Sequence, residues 1–342
     1  MSNESTNYTV ADLIPRIQSN IDSLEYPAAY AFCKKALELE PSNAELLEVT
    51  GQVEMELERF QEARDHMLAA IQVSPESGYS KYMYLGQMSV EKEAIQAFEK
   101  GVQLMIKERE QQAEGSEEYM LVSAKIASAL CSMTEIYLTD CCFEPEAEQK
   151  CEEYLEQAQQ ISPETPEVYQ LLASVRLSQQ RNEEAVSILQ QSMSLWMNKE
   201  FGDPAIPIYD SRLSLVRLLL EIGMFEQAFT VLEGLQKEND QVVDLWYLYG
   251  WAYYCLGDDE HTSQEERQGH WEDARDCLET AVKLFYTVGS DDQAMFDHSQ
   301  ELIAIINQVV PPSAPEEEQQ QQQQATGDDI DFDDDDDDAM EM

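Results

Sequence analysis

Four times along the chain a small residue is followed at i+4 by a large one and at i+7 by another small one. The sets are Ala63/Met67/Ala70, Ala94/Phe98/Gly101, Ala185/Leu189/Ser192 and Ala274/Leu278/Ala281. Positions i, i+4 and i+7 share one face of a helix. The small residues let a paired helix come close, and the large one fills the gap to the next. A second pattern, Trp246-x-x-Tyr249-Gly250-x-x-Tyr253, again reads as a helix face and precedes the fourth set. The pattern has a long period too. Tyr26 and Phe60, Ala29 and Ala63, Ala36 and Ala70, and Pro41 and Pro75 are each 34 residues apart, as are Cys151/Ala185, Leu155/Leu189 and Ala158/Ser192. Pro41, Pro75 and Pro163 stop successive units, because proline cannot continue a helix.

A 34-residue period of two helices closed by proline resembles the tetratricopeptide repeat, over about residues 10–290. Seven units are predicted, at roughly 10–41, 44–75, 78–106, 117–163, 166–199, 208–238 and 242–285. They are not uniform. Eight residues separate Gly86 from Ala94 but twelve separate Gly51 from Ala63, which predicts a tightened inter-helix turn in the third unit. The fourth unit has a long first helix ending near Thr139-Asp140, followed by a turn at Phe143-Glu144-Pro145. A Gly202–Pro207 loop precedes the sixth unit, and Gly257 to His270 reads as an inserted polar loop in the seventh. An amphipathic helix from about Asp291 to Val309 would cap the stack, as terminal repeats require. The expected fold is all-α: a right-handed α-solenoid over 10–310, a flexible start at 1–9, and a disordered acidic tail at 311–342. That tail carries six glutamines, Gln319–Gln324, and then an aspartate run.

Composition supports helix and adds a charge. Gly (13) and Pro (12) are scarce for 342 residues, and 43% of the chain is hydrophobic, enough for a core. The net charge is −48; the segment from Pro311 holds thirteen of the acids and no base, so −35 remains on the rest. Such a body disfavours direct binding of nucleic acid, whose affinity rests on Lys and Arg. It disfavours an anionic membrane surface equally, and no uninterrupted apolar run approaches the ~20 residues of a bilayer span. The charge favours a strongly basic partner. MSNESTNYTV lacks the pattern of a secretory signal, and seven cysteines, an odd number, suit free thiols.

No reaction chemistry stands out. None of His66, His261, His270 and His298 sits at i, i+4 with another, and no phosphate loop or G-x-S-x-G elbow is present. Cys141, Cys142, Cys151 and nearby Cys131 lack the spacing of a zinc site. Cys151 falls where Ala185 stands one period later, the place of a small core residue. Neither cofactor nor metal is expected, and the chain is not expected to be an enzyme.

A binding surface remains. In a tetratricopeptide stack the first helices line the concave face. Taking Gly250 as position eight of its unit, the inward residues are Asp244, Tyr247, Trp251 and Tyr254. The same slots hold Glu45, Glu48, Gln52 and Met55 in the second unit; Ser80, Met83, Gln87 and Val90 in the third; and Glu167, Gln170, Ser174 and Leu177 in the fifth. Glu135 and Asp140 would add charge from the fourth. The predicted binding set is therefore Glu45, Glu48, Met55, Met83, Gln87, Glu135, Asp140, Gln170, Asp244, Tyr247, Trp251 and Tyr254. With little Lys or Arg, this lining would repel a terminal carboxylate. It would suit a Lys/Arg-rich peptide through charge-assisted hydrogen bonds and cation–π faces. Packing between neighbouring helices is the competing role for Tyr247, Trp251 and Tyr254, and solvation the competing role for each acid.

Three segments go beyond the repeat pattern: Gly78-Tyr79-Ser80-Lys81-Tyr82-Met83-Tyr84-Leu85-Gly86-Gln87, the stretch from Thr139-Asp140-Cys141-Cys142-Phe143 to Glu148, and Ala173-Ser174-Val175-Arg176-Leu177-Ser178-Gln179. With the acidic tail, they resemble the dedicated assembly chaperones of large-subunit ribosomal protein L4. The resemblance implies capture of the basic internal extension of newly made L4 in the cytoplasm and escort to the nucleus. No import signal is evident, so entry would use the client's own. A monomer is expected. A histone chaperone and a general scaffold for basic partners remain the alternatives.

Overall fold

In the computed structural model the described residues are 8–311, all helix and connection with no strand. The first seven residues and the tail from 312, with its glutamine and aspartate runs, lie outside the described residues. The chain divides into two compact units, the first ending at Ser211 and the second beginning at Arg212.

Unit 1 holds five helical hairpins: α1 (Val10–Asp22) with α2 (Tyr26–Leu39), α3 (Ala44–Glu56) with α4 (Phe60–Val73), α5 (Ser80–Gln87) with α6 (Glu91–Arg109), α7 (Glu117–Leu138) with α8 (Ala147–Ile161), and α9 (Pro166–Ser178) with α10 (Asn182–Ser194). Helix α11 (Tyr209–Glu221) begins at the unit boundary. Unit 2 continues with α12 (Phe225–Glu238), α13 (Val243–Asp258), α14 (Gln264–Val288) and α15 (Gln293–Val309). The predicted seven pairs and terminal helix are all present.

The helix starts are capped as the local sequence dictates. Thr9 and Asp12 form a capping box on α1, Ser263 and Glu266 one on α14, and the side chains of Asn43, Ser116 and Asp292 accept from the first turns of α3, α7 and α15. The Tyr8 ring lies under Arg16 and Lys35, 4.7 and 4.5 Å from its centroid. Helices α2, α4 and α8 end two residues before Pro41, Pro75 and Pro163, and the residue before each proline has left the helical region, with ψ of 75–76°.

The turn inside a hairpin recurs with one geometry. Leu24, Glu58, Gln180 and Gly223 have φ of 58°, 58°, 60° and 76°. In each turn the next amide donates back to the third-last residue of the helix, as Arg59 N to Glu54 O and Arg181 N to Arg176 O, both 2.8 Å. This is the six-to-one bond of a Schellman ending. The close approach read from the small residues is also present. A Cβ on Gly250 would lie 2.6 Å from Leu278 Cγ and 3.2 Å from the Ala274 carbonyl.

Two expectations need correction. The third unit's turn is not tightened: three residues separate α5 from α6, as three separate α3 from α4. The first helix is shorter instead, ending one residue after Gly86, where α3 runs five past Gly51. Four residues are close to one turn, so their loss leaves the packing face in register. Nor is Gly257–His270 a loop. Helix α13 runs to Asp258, only residues 259–263 are irregular, and the Ser263 capping box starts α14 seven residues before His270. The polar composition concealed a solvated helix start.

Helix α7 is long and apolar enough by composition to span a bilayer. However, 56% of that window is buried, and Ile126, Leu130, Met133 and Tyr137 belong to one core cluster with Met105, Cys151 and Leu155. It is the core helix of unit 1. Cys33, Cys131, Cys141 and Cys151 are buried as free thiols; Cys142 is exposed.

Candidate binding face

Odd-numbered helices neighbour one another in unit 1, α3 beside α5 and α7 beside α9, and carry the predicted residues of that unit, save Asp140 just past α7. They are not equivalent there. Glu45 is exposed in the first turn of α3. Glu48 is already bound: Lys81 Nζ donates to its Oε1 at 2.8 Å and to the Ser77 carbonyl. The Lys81 side chain is fully buried while that of Glu48 is 21% exposed. This carboxylate therefore neutralises an ammonium of the fold. Met55 and Met83 are half-buried, and Gln87 is exposed. Met83 and Gln87 line a cavity of ≈310 Å³ between α5 and α7, with Tyr79, Ser128 and Lys125. Lys125 Nζ donates to the Tyr79 hydroxyl at 2.7 Å, so this side carries a cation of its own.

Further along unit 1, Glu135 and Glu167 have no ion pair among the described residues. Glu135, on α7, reaches solvent, yet partial burial alone raises its carboxyl above the ordinary range. Burial pushes the neighbouring Cys131 thiol up to about 12, and the charges of Glu135 and Glu167 add to that shift. Ser211 Oγ lies 3.4 Å from Glu167 Oε1 and 3.4 Å from Gln170 Oε1. Gln170 is 6% exposed, and its Nε2 has no hydrogen-bond partner. Asp140 is exposed just beyond α7. Glu135 on α7 and Glu167 on the adjacent α9 are thus carboxylates able to accept from a multiply donating cation, whereas the free atom of the buried Gln170 amide is itself a donor.

In unit 2 the predicted aromatics are half-buried under α15. The Tyr247 hydroxyl lies 2.8 Å from His298 Nδ1, the Trp251 and His298 rings are 5.3 Å apart, and Tyr254 stacks on Trp251 at 5.8 Å and on Trp271 at 5.7 Å. Leu302 and Ile306 of α15 close the same cluster. Asp244 is paired with Arg217. The packing role weighed for these rings is much of what they do.

Lys81, Lys125, Arg217, Ser211 and His298 were missed. Lys81 follows Glu48 by 33 residues, nearly one period, so opposite charge at repeat spacing was a usable signal. His298 lies outside the repeats and gave none. Also missed was Glu54, fully buried on α3, whose Oε2 is 2.7 Å from His66 Nδ1 on α4. Among the described residues no group of His, Cys, Asp or Glu has the arrangement of a metal site.

A tetratricopeptide-repeat family model matches residues 26–78. A protein of Schizosaccharomyces pombe described as a probable assembly chaperone of rpl4 is 34% identical over 315 residues, covering 87% of this chain and 91% of that protein. A protein of Emericella nidulans with the same description is 30% identical over 306 residues, covering 82% and 77%. The solved structure of the assembly chaperone of RpL4 (Acl4, residues 1–338) matches with a TM-score of 0.67 and 31% identity, over 73% of this chain and 98% of that one.

Proposed function

This chain belongs to the family of rpl4 assembly chaperones, and from that premise we propose that it is a dedicated chaperone of newly made ribosomal protein L4 in large-subunit assembly. Its role is binding, without catalysis. The client segment is the basic internal extension of L4, held along the odd-numbered helices of unit 1. The observation that carries this reading is the pair of carboxylates on adjacent helices, Glu135 on α7 and Glu167 on α9, in a chain of net charge −48. A Lys or Arg entering there supplies the missing counter-charge. Each charge-assisted hydrogen bond contributes about 1.5–3 kcal/mol. The extension has no core of its own, so neutralising it keeps L4 soluble. Ribosomal RNA later competes for the same basic side chains.

The test is capture of newly synthesised proteins on the full chain, read by mass spectrometry. L4 should dominate on the wild type and be lost from a Glu135→Lys/Glu167→Lys variant of unchanged helicity. Recovery of histones in place of L4, or undiminished L4 on the variant, overturns the proposal. We place the protein in cytoplasm and nucleus, as a monomer that enters with its client. Nuclear accumulation should then be lost when the import signals of L4 are deleted; persistence refutes joint import.

A further inference from the structure

Unit 2 contains a second recess, formed by other residues than those facing α15. Helices α12, α13 and α14 leave a cavity of ≈340 Å³ walled by Phe229, Trp246, Tyr249 and Tyr253. Ring centroids lie 4.7 Å apart for Phe229 and Tyr253, 6.1 Å for Phe229 and Tyr249, and 5.9 Å for Trp246 and Tyr249. The walls are held in place: Trp246 Nε1 donates to the Asp240 carbonyl at 2.7 Å, and the Tyr249 hydroxyl to Gln236 Oε1 at 3.2 Å. The sequence signature Trp246-x-x-Tyr249-x-x-x-Tyr253 therefore does more than pack α13.

The recess is negative as well as aromatic. Glu233 lines it from α12 and is exposed. Asp273 and Glu233 both act on the Tyr253 phenol, whose pKa burial has already raised. Cys277 also lines it; burial, then Asp273 and Asp276, push its thiol up to about 12. Among the described residues no Lys or Arg lines the cavity. An apolar occupant would cover Glu233 and the Tyr253 hydroxyl without satisfying them, at a desolvation cost. A guanidinium satisfies both: its plane stacks on rings and its edge donates to a carboxylate.

We propose that this recess is a cage for an arginine side chain of a partner polypeptide, stacked among Phe229, Trp246 and Tyr253 and hydrogen-bonded to Glu233. The site does not depend on Glu135, Glu167 or the identity of the client, since any accessible arginine in a flexible segment fits its chemistry.

The test uses the full chain labelled with 5-fluorotryptophan. Its four tryptophans give separable fluorine resonances, and Trp246→Phe assigns the one in the cage. The probe is a flexible glycine–serine peptide carrying one arginine, against the same peptide carrying citrulline. The Trp246 resonance should shift saturably with arginine and not with citrulline. Glu233→Gln, at an exposed helix position, should weaken that response about tenfold, the loss of one charge-assisted hydrogen bond. The Glu135→Lys/Glu167→Lys variant should retain it. An equal response to citrulline, no response of Trp246, or an unchanged response in Glu233→Gln overturns the cage, whatever the outcome of L4 capture. Loss of L4 capture with the Trp246 response intact separates the two sites.

Discussion

Replacing Glu48 by Gln should damage the fold before it damages binding. The substitution leaves the Lys81 ammonium, which water does not reach, without a counter-charge; the glutamine oxygen and the Ser77 carbonyl remain only as neutral acceptors. Removing one member of a buried pair costs about 3–5 kcal/mol, because the other charge stays buried without compensation. The reverse change, Lys81→Met, should cost less. It leaves a carboxylate with 21% of its side chain in solvent, and methionine occupies much of the volume of the lysine stem. About 1–2 kcal/mol is expected, within the ordinary range for a point substitution. The double variant removes both charges. It should recover part of the Glu48→Gln loss, a coupling of about 1–3 kcal/mol for side chains in direct contact. Urea denaturation measures all four proteins. Far-ultraviolet circular dichroism follows the helices of both units, while three of the four tryptophans, Trp246, Trp251 and Trp271, report unit 2. The shift should appear in the dichroism and less in the fluorescence. Exposed Glu45→Gln is the control, with a change within about 0.5 kcal/mol. A Glu48→Gln loss under about 1 kcal/mol, or a double variant no better than the sum of the singles, would refute the assignment of this charge to the fold.

Three other outcomes follow from particular contacts. Glu58→Gly should stabilise unit 1 by up to about 1 kcal/mol in urea titrations. It relieves the left-handed strain of about 1–2 kcal/mol but loosens the unfolded chain by part of that. Gly257→Ala should destabilise unit 2 by about 1–3 kcal/mol, seen in thermal melts and near-ultraviolet dichroism. A Cβ there would lie 2.2 Å from Cδ1 of the buried Trp271 indole, whose Nε1 is bound to the Tyr254 carbonyl. His66 has its pKa raised above 6.5 chiefly by its hydrogen bond to Glu54. A group with a raised folded pKa gives its full stabilisation below the unfolded value and loses it as pH climbs through the folded one. Stability should therefore decline from about pH 6.5 upward through the raised value, and His66→Gln should flatten that slope; an unchanged slope would disprove the link.

Much of the architecture was legible because repeat structure is local. Helix spacing, small residues at Ala63, Ala70 and Gly250, and the stops at Pro41, Pro75 and Pro163 each act within one unit or between adjacent ones. A period of 34 therefore places the hairpins that keep it, though not the irregular third, fourth and seventh units. Turn geometry was less visible, since Leu24, Glu58 and Gln180 stand where glycine would mark the left-handed residue. Composition misled at residues 264–270, where polar side chains clothe the first turns of a helix.

The charge of the chain and the helices that carry its acids were fixed by residue order alone. Which acids remain available was not. Glu48 and Asp244 meet Lys81 and Arg217 only when helices pack, and His298 meets Tyr247 and Trp251 only because α15 folds back across α13. Coulombic attraction and ring stacking act over a few ångströms, between residues 27 to 51 positions apart in the chain. Linear spacing carries little of that information. Packing therefore decided that Glu48 and Asp244 are paired while Glu135 and Glu167 have no ion pair among the described residues, and that Phe229, Trp246 and Tyr253 surround a recess instead of filling it.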